Sequence, residues 1–113
     1  MDLLTSLVCV VILSNMKAVE LVRRRVVYGE HSFAELVLWQ LPRSVPASAH
    51  RFKYRLAYVA WGICVIRYDN ETGKGDHRHY AGTESAYPFE TVDKLIADFQ
   101  RDIARWMHEN RNT

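Results

Sequence analysis

Apolar and polar side chains alternate in two segments near the middle of this chain. From Arg51 to Ala60, aromatic and aliphatic residues occupy every second position, with Lys53 and Arg55 between them. A second alternation runs from Ile63 to Asn70, with Arg67 among its polar members. Because successive side chains of a strand point to opposite faces, this period of two predicts two half-buried β-strands.

The two strands are predicted to form a hairpin around the sequence Ala-Trp-Gly. A three-residue loop with its glycine in the left-handed conformation fits, because a two-residue loop would need positive φ at the tryptophan. This register pairs Arg55 with Arg67 and Lys53 with Asp69 across the strands. The opposite, apolar face then holds Tyr54, Leu56, Tyr58, Cys64, Ile66 and Tyr68.

The flanking segments complete a meander followed by a helix. Valine-rich patterns predict strands over 18–28 and 33–41, and residues 77–82 favour a short fifth strand. Thr91 is a suitable N-cap for a C-terminal helix. The apolar stripe of that helix comprises Val92, Leu95, Ile96, Phe99, Ile103, Trp106 and Met107. We therefore expect an α+β fold: an antiparallel β-meander of four to five strands with the helix packed on one face.

The N-terminal segment 1–15 differs from the rest of the chain. Its apolar run from Leu3 to Leu13 is too short to span a bilayer, and it lacks the basic start and the cleavage site of a signal peptide. Met16 opens a sequence that resembles a natural start, so we expect residues 16–113 to form the single domain. Alternatively, residues 1–15 belong to the domain and form a short apolar helix that packs on the sheet or on a partner.

Charge and cysteine content narrow the class of protein. Residues 17–80 carry eleven Lys and Arg against six Asp and Glu, whereas residues 81–113 carry four against six. The excess of positive charge in the middle of the chain favours an anionic partner there, although a solvated surface is an equal alternative. Cys9 and Cys64 match neither a metal motif nor a disulfide framework, which indicates a reducing compartment such as the cytoplasm.

The segment RYDNETGKGDHRH, residues 67–79, concentrates groups that transfer protons and bind phosphate. If its end is extended, His77 and His79 point to the same face and can act as general acid and base on a phosphodiester. Such a site cleaves RNA without a metal or another cofactor, because the 2′-hydroxyl is an internal nucleophile. The predicted phosphate-binding residues are Lys53, Arg55, Arg67, Lys74 and Arg78, and Asp69 is predicted to orient one of these cations or a histidine.

A metal site is the alternative interpretation of the same segment. The pattern His-x-His can ligate zinc, with His50, Asp69 or Asp76 completing the site, but no spacing in the sequence requires it. Both histidines are also compatible with ordinary strand or turn positions.

The chain resembles the TumE-type toxins of bacterial toxin–antitoxin modules. The resemblance runs from Lys17 to about Arg105 and is carried by KAVELVRRRVVY, FAELVLWQLP, HRFKYRLAYV, RYDNETGKGDHRH and YPFETVDKLIADFQRDI. It implies the toxin half of a type II two-gene operon, with a helix-turn-helix antitoxin as partner and RNA or translation as target. We expect no membrane partner, because the apolar run at the N-terminus is too short to span a bilayer. A homodimer and a toxin–antitoxin hetero-oligomer are both left open.

Two further mechanisms remain beside the endoribonuclease. In one, the protein binds RNA or the translation machinery without catalysis and acts by occupancy. In the other, it is a transferase that modifies RNA or the antitoxin with a metal held by Asp69 and Asp76. Activity that is lost when the cationic charges are reversed, but not when either histidine is removed, would indicate action by occupancy. Activity that a chelator abolishes would indicate the transferase.

Overall fold

The computed structural model describes residues 17–71 and 73–111, and within them the chain forms one antiparallel sheet followed by one helix. The elements are β1 (Val19–Gly29), β2 (Ser32–Gln40), β3 (Phe52–Ala60), β4 (Ile63–Asp69), β5 (His77–Tyr80), β6 (Thr83–Ala86) and α1 (Val92–Glu109). Neighbours in sequence are neighbours in the sheet, in the order β1 to β6. The α+β meander with a C-terminal helix is thus confirmed, whereas the expectation of four to five strands was one strand short. The N-terminal extension and its suggested helix lie outside the described residues.

The strand that the sequence did not predict is β6. Its four residues, Thr-Glu-Ser-Ala, are all exposed and show no apolar alternation. It pairs with β5 through a two-residue turn in which both Ala81 (φ 48°) and Gly82 (φ 91°) have positive φ. Because an edge strand with no buried side chain carries no hydrophobic pattern, only the pairing itself reveals it.

The β3–β4 hairpin differs from the predicted register. The turn has two residues, and Trp61 adopts the left-handed conformation (φ 54°) that the sequence analysis judged unfavourable. A β-bulge then places Val59 opposite Cys64 and Tyr58 opposite Ile66, so Arg55 pairs with Asp69 and Ala57 with Arg67. The partners of the charged residues are shifted by two positions from the predicted pairing, and an even shift keeps these residues on their predicted face. Cys64, in contrast, lies outside the core and is exposed.

The helix begins where the sequence predicts and covers one face of the sheet. Thr91 accepts a hydrogen bond from the Lys94 backbone nitrogen (3.0 Å), which satisfies one of the free N–H groups of the first turn. The buried cluster between sheet and helix includes Leu36, Leu38, Tyr54, Leu56, Tyr58, Ile66, Tyr68, Leu95, Phe99 and Ile103. This packing leaves the opposite face of the sheet uncovered by α1.

Two buried carboxylates of α1 lie in this core. Asp98 accepts hydrogen bonds from Tyr87 (2.6 Å) and Lys94 (2.7 Å), and burial alone would raise the pKa of its carboxyl. The hydrogen bonds from Lys94 and Tyr87 outweigh burial and lower that pKa. The second carboxylate, Asp102, binds Arg78 of β5, so both acids fasten the helix to neighbouring elements.

Candidate functional site

The open face of the sheet gathers most of the predicted site residues. Strand pairing places them in two neighbouring rows: Arg55, Asp69 and His77 in one, and Arg67, His79 and Glu84 in the other. Residues directly opposite on adjacent strands lie about 5 Å apart at Cα, and two positions along a strand span about 7 Å. The two histidines are therefore close enough to act on one phosphodiester group.

Hydrogen-bond acceptors surround His77. Its Nε2 atom lies 3.1 Å from the Lys74 carbonyl oxygen, so Nε2–H donates there. Its Nδ1 atom lies 3.2 Å from a carboxylate oxygen of Glu84. Acceptor atoms therefore face both ring nitrogens of His77, so an N–H group at either nitrogen has a partner to donate to.

His79 has the opposite surroundings. A guanidinium nitrogen of Arg67 lies 2.8 Å from His79 Nε2, and arginine has only donors, so this ring nitrogen accepts. In this arrangement Nε2 presents its lone pair to the guanidinium. Glu84 lies further away, 3.6 Å from the same nitrogen. His79 is thus the histidine whose environment suits a proton acceptor.

Asp69 forms an ion pair with Arg67, the residue that contacts His79. The Arg67 Nε atom lies 3.1 Å from a carboxylate oxygen of Asp69, so the two residues form an ion pair. The contact is not aligned as a hydrogen bond, because Nε has no hydrogen-bond partner among the described residues. Asp69 is almost fully buried at the end of β4. The direct partner of Asp69 is thus Arg67 rather than a histidine, and its orienting role stays a prediction.

Carboxylates pair with several cations of the open face. Arg23 pairs with Glu20, and Arg25 pairs with Glu35. In contrast, Arg55 makes no ion pair within 4.0 Å to any residue in 17–71 or 73–111, although it stands opposite Asp69 in the sheet. Arg55 is therefore the cation at the centre of this face that is best placed to bind an anion.

The remaining predicted cations are distributed unequally. Lys53 lies two positions before Arg55 on the same face, and Lys74 is exposed in the loop before β5. Arg78 points to the other face, where its guanidinium binds both carboxylate oxygens of Asp102 (2.7 and 2.9 Å). The hydrogen bonds that Arg78 donates to Asp102 raise the pKa of the guanidinium further above its usual value. The structure thus does not bring Arg78 to the histidines.

A hydrogen-bonded cluster around Asp76, which includes His50, supports the site from the side of the core. Asp76 accepts hydrogen bonds from Ser48 (2.6 Å) and Tyr54 (2.7 Å) and lies 2.7 Å from His50 Nε2. The His50 Nδ1 atom accepts from the Phe52 backbone, so Nε2–H donates to Asp76. These residues lie more than 20 positions from Asp76 in sequence, so no local motif signals the network. It fixes the loop between β2 and β3 against the start of β5.

Two carboxylates near the histidines were also missed. Glu84 lies on β6, and without that strand the sequence gives no reason to place it between the histidines. Glu71 follows β4 and is more than half buried; burial raises the pKa of its carboxyl, although the charges of Lys53 and Arg55 lower it in part. The sequence indicated Glu71 only through its position between Asn70 and Gly73, within the segment 67–79.

A metal-binding arrangement does not emerge in the described part of the chain. Within residues 17–71 and 73–111, no three His, Cys, Asp or Glu side chains converge in a way that could hold a metal ion. Asp76 directs its oxygens to Ser48, His50 and Tyr54, whereas Asp69 faces Arg67. The proposed ligands of the metal alternative are therefore divided between two clusters.

Comparison with known proteins identifies the family. The family model described as Toxin TumE matches residues 11–107. The chain belongs to the TumE toxin family. This match confirms the resemblance over a slightly wider range than Lys17 to Arg105, and it indicates a toxin component of a toxin–antitoxin module with an antitoxin partner. No curated protein and no solved structure shows a significant match. Among the described residues of this TumE-family chain, no helix is long and apolar enough to cross a membrane.

Proposed function

We propose that this TumE-family protein is a cytoplasmic endoribonuclease toxin that cleaves RNA on the open face of its sheet without a metal ion. The observation that carries the proposal is the contrast between two neighbouring histidines. Acceptors surround His77, whereas Arg67 donates to His79. General acid–base catalysis requires one group placed to donate a proton and another placed to accept one.

In the proposed reaction, His79 is the base and His77 is the acid. The Nε2 atom of His79 exchanges its contact with Arg67 for the 2′-hydroxyl of the substrate and takes its proton. The 2′-oxygen forms a bond to the adjacent phosphorus, and the bond from phosphorus to the 5′-oxygen breaks. His77 protonates that leaving oxygen, so the products are a 2′,3′-cyclic phosphate and a 5′-hydroxyl.

The cations supply binding and charge stabilisation for this reaction. Arg55 and the released Arg67 guanidinium are placed to contact the phosphate, where negative charge develops on the non-bridging oxygens. Lys53 and Lys74 extend the phosphate-binding surface along and beyond the two rows. Binding through several such contacts should weaken steeply as the salt concentration rises.

The proposed partner is a helix-turn-helix antitoxin encoded in the same type II operon. Such an antitoxin would inhibit the toxin and repress the operon. Membership in the TumE toxin family supports an antitoxin partner. The helix-turn-helix type of that antitoxin is proposed from the sequence resemblance to TumE-type toxins.

The proposal is tested by mapping RNA 5′ ends in cells after brief induction of the toxin without its antitoxin. The parent is compared with a His77→Ala/His79→Ala double variant at matched protein level. His108→Ala is the control, because His108 is an exposed residue of α1, outside the open face. We expect new, reproducible 5′ ends with the parent and the control, and none with the double variant.

Two other outcomes would contradict the proposal. Growth arrest by both the parent and the double variant without new 5′ ends would mean that the protein binds its target and acts by occupancy. New ends that persist in the double variant would place the chemistry outside the two histidines.

A further inference from the structure

Strand β1 forms a long open edge of the sheet. Among the described residues it pairs with β2 on one side and with no strand on the other. It has 11 residues, whereas β6 at the opposite edge has 4. The pairing with β2 is regular from Val22 to Val27, a run of about 20 Å. In a regular antiparallel ladder every second residue turns its N–H and C=O groups outward, so this run presents about six backbone groups to a further strand.

Exposed apolar side chains concentrate on the same edge. Seven large hydrophobic residues are exposed within 17–71 and 73–111, and four of them lie on β1. These four are Val19, Leu21, Val27 and Tyr28, which flank the centre of the strand on both sides. Exposed apolar side chains along an open strand edge indicate a surface at which another chain associates.

The centre of the edge carries three consecutive exposed arginines. The pairing with β2 places Arg23 and Arg25 on the open face of the sheet, so Arg24 lies on the opposite face. Arg23 pairs with Glu20 and Arg25 with Glu35 at the surface, where such ion pairs contribute little. Arg24 makes no ion pair with any residue of 17–71 or 73–111. A strand laid along this edge would therefore meet positive charge on both of its faces.

This charge decides between a second copy of the chain and an acidic strand. A second copy of β1, paired antiparallel around the centre of the regular run, would place Arg24 opposite Arg24 and Arg23 opposite Arg25. Like charges directly opposite each other destabilise a pair of strands. Acidic side chains at the same positions would instead form favourable cross-strand pairs with the arginines on both faces.

The backbone of the edge decides between peptide and RNA. Phosphate groups of RNA accept hydrogen bonds but donate none, so they would leave the outward carbonyl groups of β1 without partners. A peptide strand supplies both N–H and C=O groups at the spacing of the edge. The edge thus fits an extended peptide with acidic residues at its centre and apolar residues at its ends.

We propose that β1 binds an extended acidic segment of the antitoxin, which joins the sheet as a further strand. Main-chain hydrogen bonds supply affinity, and the three arginines select a segment of opposite charge. Membership in the TumE toxin family provides the antitoxin as partner. The inference goes beyond the proposed function, since it names the surface that the antitoxin occupies, and it does not depend on whether the toxin cleaves RNA.

Hydrogen–deuterium exchange tests the main-chain part of this inference. The full-length toxin is measured alone and in complex with the antitoxin encoded beside it. The outward amides of residues 22–27 should exchange freely in the toxin alone and at least about tenfold more slowly in the complex. The amides of β6, the opposite edge, are the internal control and should change little.

Charge reversal tests whether the bound segment is acidic. Arg24→Glu should weaken antitoxin binding by at least about tenfold, while the toxicity of the toxin alone stays unchanged. Arg51→Glu is the matched control and should bind the antitoxin as the parent does, because Arg51 is an exposed arginine before β3, two strands from the edge. An unchanged melting temperature is the criterion for an intact fold. The exchange experiment uses the parent chain, so it decides the question even if Arg24→Glu does not fold.

Three results would overturn the inference. Slower exchange elsewhere in the complex, but not in residues 22–27, would place the antitoxin on another surface. Slow exchange throughout residues 22–27 in the toxin alone would mean that a second copy or another part of the chain covers the edge, and its dependence on toxin concentration would tell these apart. Loss of toxicity in Arg24→Glu with unchanged antitoxin affinity would assign the arginines to the target of the toxin.

The inference and the proposed function fail separately. If the 5′-end map shows no cleavage but the antitoxin slows exchange in residues 22–27, only the ribonuclease activity is wrong. If cleavage requires the two histidines but the exchange of this run is the same with and without antitoxin, only the antitoxin surface is wrong.

Discussion

Removal of the Asp102 carboxylate should severely destabilise the protein, because this group is buried and holds three hydrogen bonds. It accepts from Arg78 Nε (2.7 Å), from a terminal nitrogen of Arg78 (2.9 Å) and from Tyr68 (2.5 Å). Asp102 is 4% exposed. Loss of one partner of a buried ion pair leaves the other charge without compensation and costs about 3–5 kcal/mol. We expect this reduction in the free energy of unfolding for Asp102→Ala.

The measurement is urea unfolding followed by circular dichroism, with Glu35→Gln as the control. Glu35 pairs with Arg25 at 3.3 Å on the exposed surface, and exposed pairs contribute roughly 0–1 kcal/mol. If Asp102→Ala costs less than about 1 kcal/mol, the buried pair does not fasten the helix to the sheet in the way described. A loss of about 3–5 kcal/mol is a large part of the roughly 5–15 kcal/mol that stabilises a typical domain.

A double variant separates stability from function at the same pair. Arg78→Met/Asp102→Leu replaces the pair with apolar side chains of similar size, a change that is often neutral for stability. Since Arg78 lies on the face away from the histidines, the double variant should retain toxicity. It should recover only part of the stability, because the buried Tyr68 hydroxyl loses both of its partners. A stable double variant without toxicity would restore Arg78 to the RNA-binding surface that the sequence predicted.

Three further predictions follow from other contacts. Glu84→Gln should reduce the cleavage rate by about 10–100-fold without loss of stability, because the carboxylate that faces Nδ1 of the proposed acid His77 is removed. A rate equal to that of the parent in an RNA cleavage assay would contradict this role. Burial and, next, the hydrogen bond to Glu109 raise the pKa of Tyr80 to about 12. Since the folded-state pKa is raised from 10.0, the stability due to this hydroxyl is fully present below pH 10 and is lost as the pH rises towards 12. Over that interval the parent should therefore lose more stability than Tyr80→Phe in urea titrations, and parallel losses would refute the linkage. Finally, Trp61→Asn should raise the free energy of unfolding by roughly 0.5–1 kcal/mol. Trp61 is 65% exposed and has a left-handed backbone conformation, which asparagine tolerates better than tryptophan. The stacking of Trp61 on His31 opposes this gain, so a net loss of stability in urea unfolding would mean that stacking dominates.

The sequence predicted the elements whose side chains are half buried. The alternation in β3 and β4 and the stripe of α1 place one side chain in the core at regular intervals, so their positions follow from periodicity. The hairpin register did not follow, because Trp61 accepts a strained conformation that local preference argues against. Strand β6 did not follow either, because it buries no side chain.

The site was predicted in its composition more than in its arrangement. His77, His79, Arg67 and Asp69 lie within one short segment, so their proximity was visible in the sequence. The hydrogen-bond partners that distinguish the two histidines depend on strand pairing across the sheet. Glu84 reaches them only because β6 folds back beside β5.

The central claim is that His77 and His79 cleave RNA through its 2′-hydroxyl, and one measurement tests it most directly. Purified protein is incubated with an end-labelled RNA oligonucleotide in the presence of a chelator, beside the same oligonucleotide with every 2′-hydroxyl methylated. The account predicts cleavage of the RNA to a 2′,3′-cyclic phosphate and a 5′-hydroxyl, no cleavage of the methylated strand, and none of either strand by His77→Ala/His79→Ala. Absence of cleavage of the RNA, cleavage of the methylated strand, or activity that the chelator abolishes would contradict it.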